Sequence, residues 1–157
     1  MKRNPRDSKE GIFAGQMGTD VLIQGVLITL LTLAAYFIGH VIEGGSWSDL
    51  NSADGITMAF LTLSLVEIFH SFNMRSRRKS VFTLKHQNKF LWLSMIGALI
   101  LTTLVIYVPF LRDAFGFEYI DLGEYAIALG LAISIIPIME FIKWIQRCME
   151  KKKTNKK

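Results

Sequence analysis

Cysteine is almost absent. Cys148 is the only one in 157 residues, which excludes a disulfide framework and any paired-cysteine metal or redox centre. It lies among bases near the end of the chain, a setting in which reversible lipidation is chemically open, although an idle cytoplasmic thiol is the simpler reading. Also missing are a Gly-rich phosphate loop, a His-Glu-x-x-His pair and a Ser/His/Asp constellation in a suitable context. By itself the chain therefore has no visible apparatus for hydrolysis. Charge is scarce in a patterned way. Outside residues 1–20, 43–55, 73–89, 111–124 and 143–157, Glu67 and Glu140 are the only charged side chains.

That pattern leaves four nearly uncharged runs, at about 21–42, 56–72, 90–110 and 125–142, each 17 to 22 residues long. A helix rises about 1.5 Å per residue and the hydrocarbon layer is about 30 Å thick, so roughly 20 apolar residues span it. The helices of a soluble bundle would be apolar on one face and charged on the other, whereas these runs are apolar all round. With a mean hydropathy of +0.35, the expected fold is an all-α membrane protein of four transmembrane helices arranged as two helical hairpins. The expected organisation is a connector loop at 1–20, a membrane domain at 21–145 and a basic tail at 146–157.

Orientation follows from the bases. Lys2, Arg3, Arg6 and Lys9 precede the first run; Arg75, Arg77, Arg78, Lys79, Lys85 and Lys89 fill the middle loop without an acid. Lys143, Arg147 and five further lysines follow the last run. The other two loops carry Glu43, Asp49 and Asp54, and then Asp113, Glu118, Asp121 and Glu124 beside the single base Arg112. This alternation places both termini in the cytoplasm of a multi-pass cell-membrane protein. The net charge of +5 then reads as attraction to anionic lipid head groups. No aromatics are interleaved with the lysines as stacking platforms, so no nucleic-acid partner is expected. About twenty polar residues precede the first run, which argues against a cleaved secretory signal.

Aromatics agree with the depths, with Trp92 and Trp144 toward the inner side and Tyr36 and Tyr107 toward the outer. Ala126, Gly130 and Ser134 recur every fourth residue on the last run, a small-residue face suited to close helix approach, and Pro137 is expected to kink it mildly.

Glu67 is the residue with chemistry to explain. An ionisable group inside a spanning helix costs at least about 2.5–3.5 kcal/mol and normally faces protein, water or an ion. Helical spacing places Thr57, Ser64, Glu67 and Ser71 on one face, with His70 on its flank. A carboxylate among hydroxyls suits a hard, oxygen-seeking cation such as calcium, so Glu67 is the candidate ligand, with Ser64, His70 and Ser71 as weaker ones. The competing reading is a hydrogen-bonded packing residue near the inner interface. Calcium takes about six to eight oxygens and one glutamate supplies at most two, so a full site needs ligands from elsewhere. Gln24 and Glu140 are lesser candidates; Glu140 is spaced to pair with Lys143.

Two stretches resemble a known family. MKRNPRDSKEGIF at 1–13 is similar to the cytoplasmic loop after the sixth transmembrane helix of P-type cation pumps, whose usual pattern is Met-x-Arg-Pro-Pro-Arg followed by a Glu before an apolar pair. Arg3, Pro5, Arg6 and Glu10 match it, and Asn4 replaces the first proline. LTLSLVEIFHSFNMRSRRKSVF at 61–82 resembles the eighth helix and following loop of calcium pumps, above all bacterial ones, through Phe72, Asn73, Arg75, Ser76 and the later Ser-Val-Phe. YVPFLRDAF at 107–115 and the closing Glu140-x-x-Lys143 extend the likeness over essentially the whole chain.

The resemblance implies that the four spans are helices seven to ten of a ten-helix calcium-transporting P-type ATPase, with the opening residues reading as a connector. It implies a scaffold beside the mobile first six helices, with Glu67 contributing one carboxylate to an ion site and Ca2+ as the transported ion. The Asp-Lys-Thr-Gly-Thr phosphorylation motif of that family is not in this sequence, so ATP and Mg2+ would act in the parent pump only. Its partners would be the remaining helices and cytoplasmic domains of that pump. Two other classes fit the bare pattern: a stand-alone four-helix proton-coupled small multidrug exporter, and a non-transporting membrane assembly module.

Overall fold

A computed structural model of the chain describes residues 17–45, 51–74 and 89–154. Every regular element among them is helical: α1 (Met17–Ile42), α2 (Ala53–Met74), α3 (Lys89–Tyr107), the short α4 (Pro109–Phe115) and α5 (Leu122–Thr154). All but α4 are long and apolar enough to cross a membrane. Expected segments 1–16 and 75–88 lie outside the described residues.

The expected apolar run at 90–110 is divided in two. Val108 takes an extended conformation (φ −84°, ψ 114°) and Pro109 opens α4. Proline cannot donate to the preceding helix but suits a helix's first turn, so α3 stops at Tyr107. Gly116 ends α4 in the left-handed region (φ +70°), its N–H bonding back to the α4 carbonyls. At the start of α5 the Glu124 carboxylate reaches back to accept the Asp121 N–H at 2.6 Å, and the Asp121 carboxylate accepts the Gly123 N–H at 3.4 Å. Through Pro137, α5 continues as one helix.

The packed interior lies around α2. Met58, Leu61, Leu65 and Val66 of α2 meet Ala128, Ala132, Ile135 and Met139 of α5, and Ile106 and Ile120 belong to the same cluster. On the other side α1 crosses α2 closely. A Cβ on Gly39 would stand 2.9 Å from the Gly55 Cα, so the two backbones touch where neither residue has a side chain. Among the described residues the small-residue stripe of α5 plays no such part: Ala126 and Gly130 are exposed, and nothing lies within 4 Å of where a Gly130 Cβ would be. The α5 residues that face α2 are instead Ala128, Ala132, Ile135 and Met139.

Burial runs opposite to that of a water-soluble fold. The least apolar span, α2, is the most enclosed, while the more apolar α1 and α3 leave most of their side chains outside. Leu22, Phe90, Leu93 and Leu101 are each at least 63% exposed. Such surfaces need lipid or further protein against them.

A candidate cation cleft between the second and third helices

The polar residues of α2 divide between two directions. Thr57 is fully buried in the first turns of α2, where its hydroxyl donates to the Ala53 carbonyl at 2.9 Å and accepts the Glu118 N–H at 3.0 Å. It belongs to the fastening of the loop that precedes α5, and not to the face expected to carry Glu67. His70 also turns away. It is 8% exposed, and its Nε2 lies 3.3 Å from the Gln24 amide oxygen on α1. Three residues on, His70 stands about 60° round the helix from Glu67, on the flank opposite to that of Ser64 and Ser71, and that flank is the packed side.

Ser64, Glu67 and Ser71 remain together. They line one wall of a cleft of about 460 Å3, with Ser94, Ala98 and Thr102 of α3 among the residues of the opposite wall. Glu67 is exposed, and no hydrogen bond or ion pair holds it among the described residues. The apolar lining, including Ile68, Met95 and Leu101, makes this carboxylate the dominant charge in the cleft. No group of three or more His, Cys, Asp or Glu side chains could hold a metal among the described residues. Any cation held here would rest on one carboxylate, hydroxyls, water and groups from elsewhere.

The other acid within an apolar run is neutralised locally. Glu140 sits 3.8 Å from the Lys143 ammonium, the i,i+3 pair its spacing anticipates. Lys143 is only 3% exposed and lines a small pocket of about 20 Å3 with Asp20, Gln24 and Gln146. Gln146 donates to Asp20 at 2.9 Å. This junction ties α1 to α5, and its buried ammonium opposes a metal ion there.

Arg3, Pro5, Arg6, Glu10 and Arg75 lie outside the described residues, as does the side chain of Asn73. Sequence reading missed Ser94 and Thr102. Single hydroxyls are common in spanning helices because they bond their own backbone, and only their eight-residue spacing marks a shared face.

Comparison with known proteins adds a second line of observation. Residues 1–145 match a family described as "Cation transporting ATPase, C-terminus". A Bacillus cereus protein named "Calcium-transporting ATPase 1" is 33% identical over 154 residues, covering 91% of this chain and 17% of that protein. A "Calcium-transporting ATPase" of Bacillus subtilis is 33% identical over 132 residues, covering 84% of this chain and 14% of its own length. The mouse "Calcium-transporting ATPase type 2C member 1" is 26% identical over 160 residues, covering 99% and 16%. The chain thus spans about one-sixth of the length of these relatives.

Proposed function

The chain belongs to the family of cation-transporting ATPase C-terminal domains, and from that premise we propose that it forms the last four membrane spans of an ATP-driven calcium pump. In this reading α1, α2 and α5 are the packed scaffold, and Glu67 supplies one carboxylate to a calcium site. Ser71 stands beside it as a weaker oxygen donor, while Ser64 lines the same cleft farther along α2. The remaining ligands come from helices outside this chain, and ATP, Mg2+ and phosphorylation act in domains outside it. Both termini and the basic loop at 75–89 face the cytoplasm against anionic head groups, in keeping with the charge alternation.

One observation carries the proposal. Glu67 is set into a hydroxyl-bearing cleft between two spanning helices, while the neighbouring packed interior of α1, α2 and α5 was passed over. A carboxylate with only a packing role gains nothing from that position and bears the cost of an uncompensated charge at membrane depth. Nothing in the fold favours the multidrug exporter or the assembly module.

Replacing Glu67 by Gln keeps the shape and removes the charge. In the complete pump carrying this chain, the substitution is expected to raise the calcium concentration for half-maximal ATPase activity about tenfold, equivalent to about 1.4 kcal/mol. An unchanged calcium dependence would remove Glu67 from the site.

A further inference from the structure

Resting on that reading, we infer that the cation's coordination extends across the cleft to α3, where the Ser94 hydroxyl joins Glu67 and Ser71 as an oxygen ligand. Consecutive spans run in opposite directions, so the walls of the cleft are antiparallel. Ser71 of α2 therefore lies at the level of the Leu91–Ser94 turn, and Ser64 at the level of Leu101 and Thr102; all of them line the same space. Glu67 falls between them along α2, and the small side chain of Ala98 shares the same lining.

The hydroxyl protons decide what the inner group can bind. Ser71 donates its proton to the Ile68 carbonyl at 2.6 Å, and Ser94 donates its own to the Leu91 carbonyl at 3.0 Å. A hydroxyl has one proton and two lone pairs, and with the proton turned into its own helix it offers acceptor oxygen alone. Glu67, Ser71 and Ser94 together then present four acceptor oxygens and no donor. That set repels anions, offers nothing to a hydrogen-bond acceptor, and matches a hard divalent cation held at about 2.3–2.6 Å from each oxygen. Two to four further oxygens complete its shell, supplied by helices outside this chain and by water, for which the cleft of about 460 Å3 leaves room.

Ser64 and Thr102 do not share this ion. Seven residues of helix separate Ser64 from Ser71 by about 10 Å, more than twice a calcium–oxygen distance. The inner three residues are therefore one site, and the outer hydroxyls lie beyond its reach.

The test uses the complete pump carrying this chain, purified into lipid vesicles, and reads equilibrium binding of radioactive calcium alongside calcium-dependent ATPase activity. Ser94→Ala is expected to weaken calcium binding about three- to tenfold. Ser94→Thr restores it, while Ser94→Val, of the same shape as threonine but without the hydroxyl, does not. The threonine–valine pair separates the oxygen from packing even if alanine disturbs the fold. Calcium binding that is weakened by Glu67→Gln but identical in the threonine and valine variants overturns the role of Ser94 and leaves the proposed function standing. Binding unaffected by Glu67→Gln overturns both.

Discussion

The two acids within apolar runs show how differently one residue type is accommodated. Glu140 is held by Lys143 on its own helix, whereas Glu67 has its charge presented to a cleft. Glu67 was legible in the sequence because a lone carboxylate in a spanning run calls for a partner. The Gly39–Gly55 contact was not, because it depends on where two helices cross. That contact makes a residue-scale prediction. A methyl group on Gly39 would sit 2.9 Å from the Gly55 Cα and 3.0 Å from the Asp54 carbonyl, and backbone cannot swing aside as a side chain can. Gly39→Ala should destabilise the hairpin by about 1–3 kcal/mol, seen as a lower melting temperature of the purified chain in detergent. Gly130→Ala, which meets open space, serves as the neutral comparison. Equal melting of both variants would show that α1 and α2 separate without cost.

Among elements, the four spans were readable from length and lack of charge alone, because a lipid-facing helix must be apolar on all sides. The break at Pro109 was harder to see, since an apolar count passes over a residue whose effect is on the backbone and not on hydropathy. The grouping of Ser64, Glu67 and Ser71 also followed from helical spacing. Their opposite wall did not, because it depends on how α3 is placed against α2. The start of α5 is set by chemistry local to four residues, with the Glu124 carboxylate accepting the Asp121 N–H at 2.6 Å. Glu124→Ala leaves that N–H without its partner and should cost about 0.5–2 kcal/mol. Hydrogen exchange reports it directly: the Asp121 amide should exchange faster in the variant while amides near Leu131 keep their protection. Faster exchange along the whole of α5 would mean that Glu124 supports tertiary packing and not the cap.

For the whole molecule, hydropathy and burial are inverted relative to a protein that folds in water, and the inversion gives charge its meaning. Where the outer surface of the spans is apolar, polar groups can gather in two places: the helix ends and the inward-facing seams between helices. The described structure has both, with one end fastened through Thr57, Ser52 and Glu124 and a junction between α1 and α5 made by Asp20, Gln146 and Lys143. Which end faces the cytoplasm rests on the basic loop and tail, and the single exposed thiol, Cys148, makes that sidedness measurable. It lies near the end of α5, beyond Lys143 and Arg147. With the bases inside, a membrane-impermeant maleimide added to intact cells should leave Cys148 unlabelled, and the same reagent should label it once the membrane is permeabilised. No other cysteine in the chain competes for the reagent, so labelling of intact cells would reverse the orientation. Such a reversal would put the basic segments on the outer surface, against the positive-inside rule, and would remove the charge argument for placing this domain beside the cytoplasmic machinery of a pump.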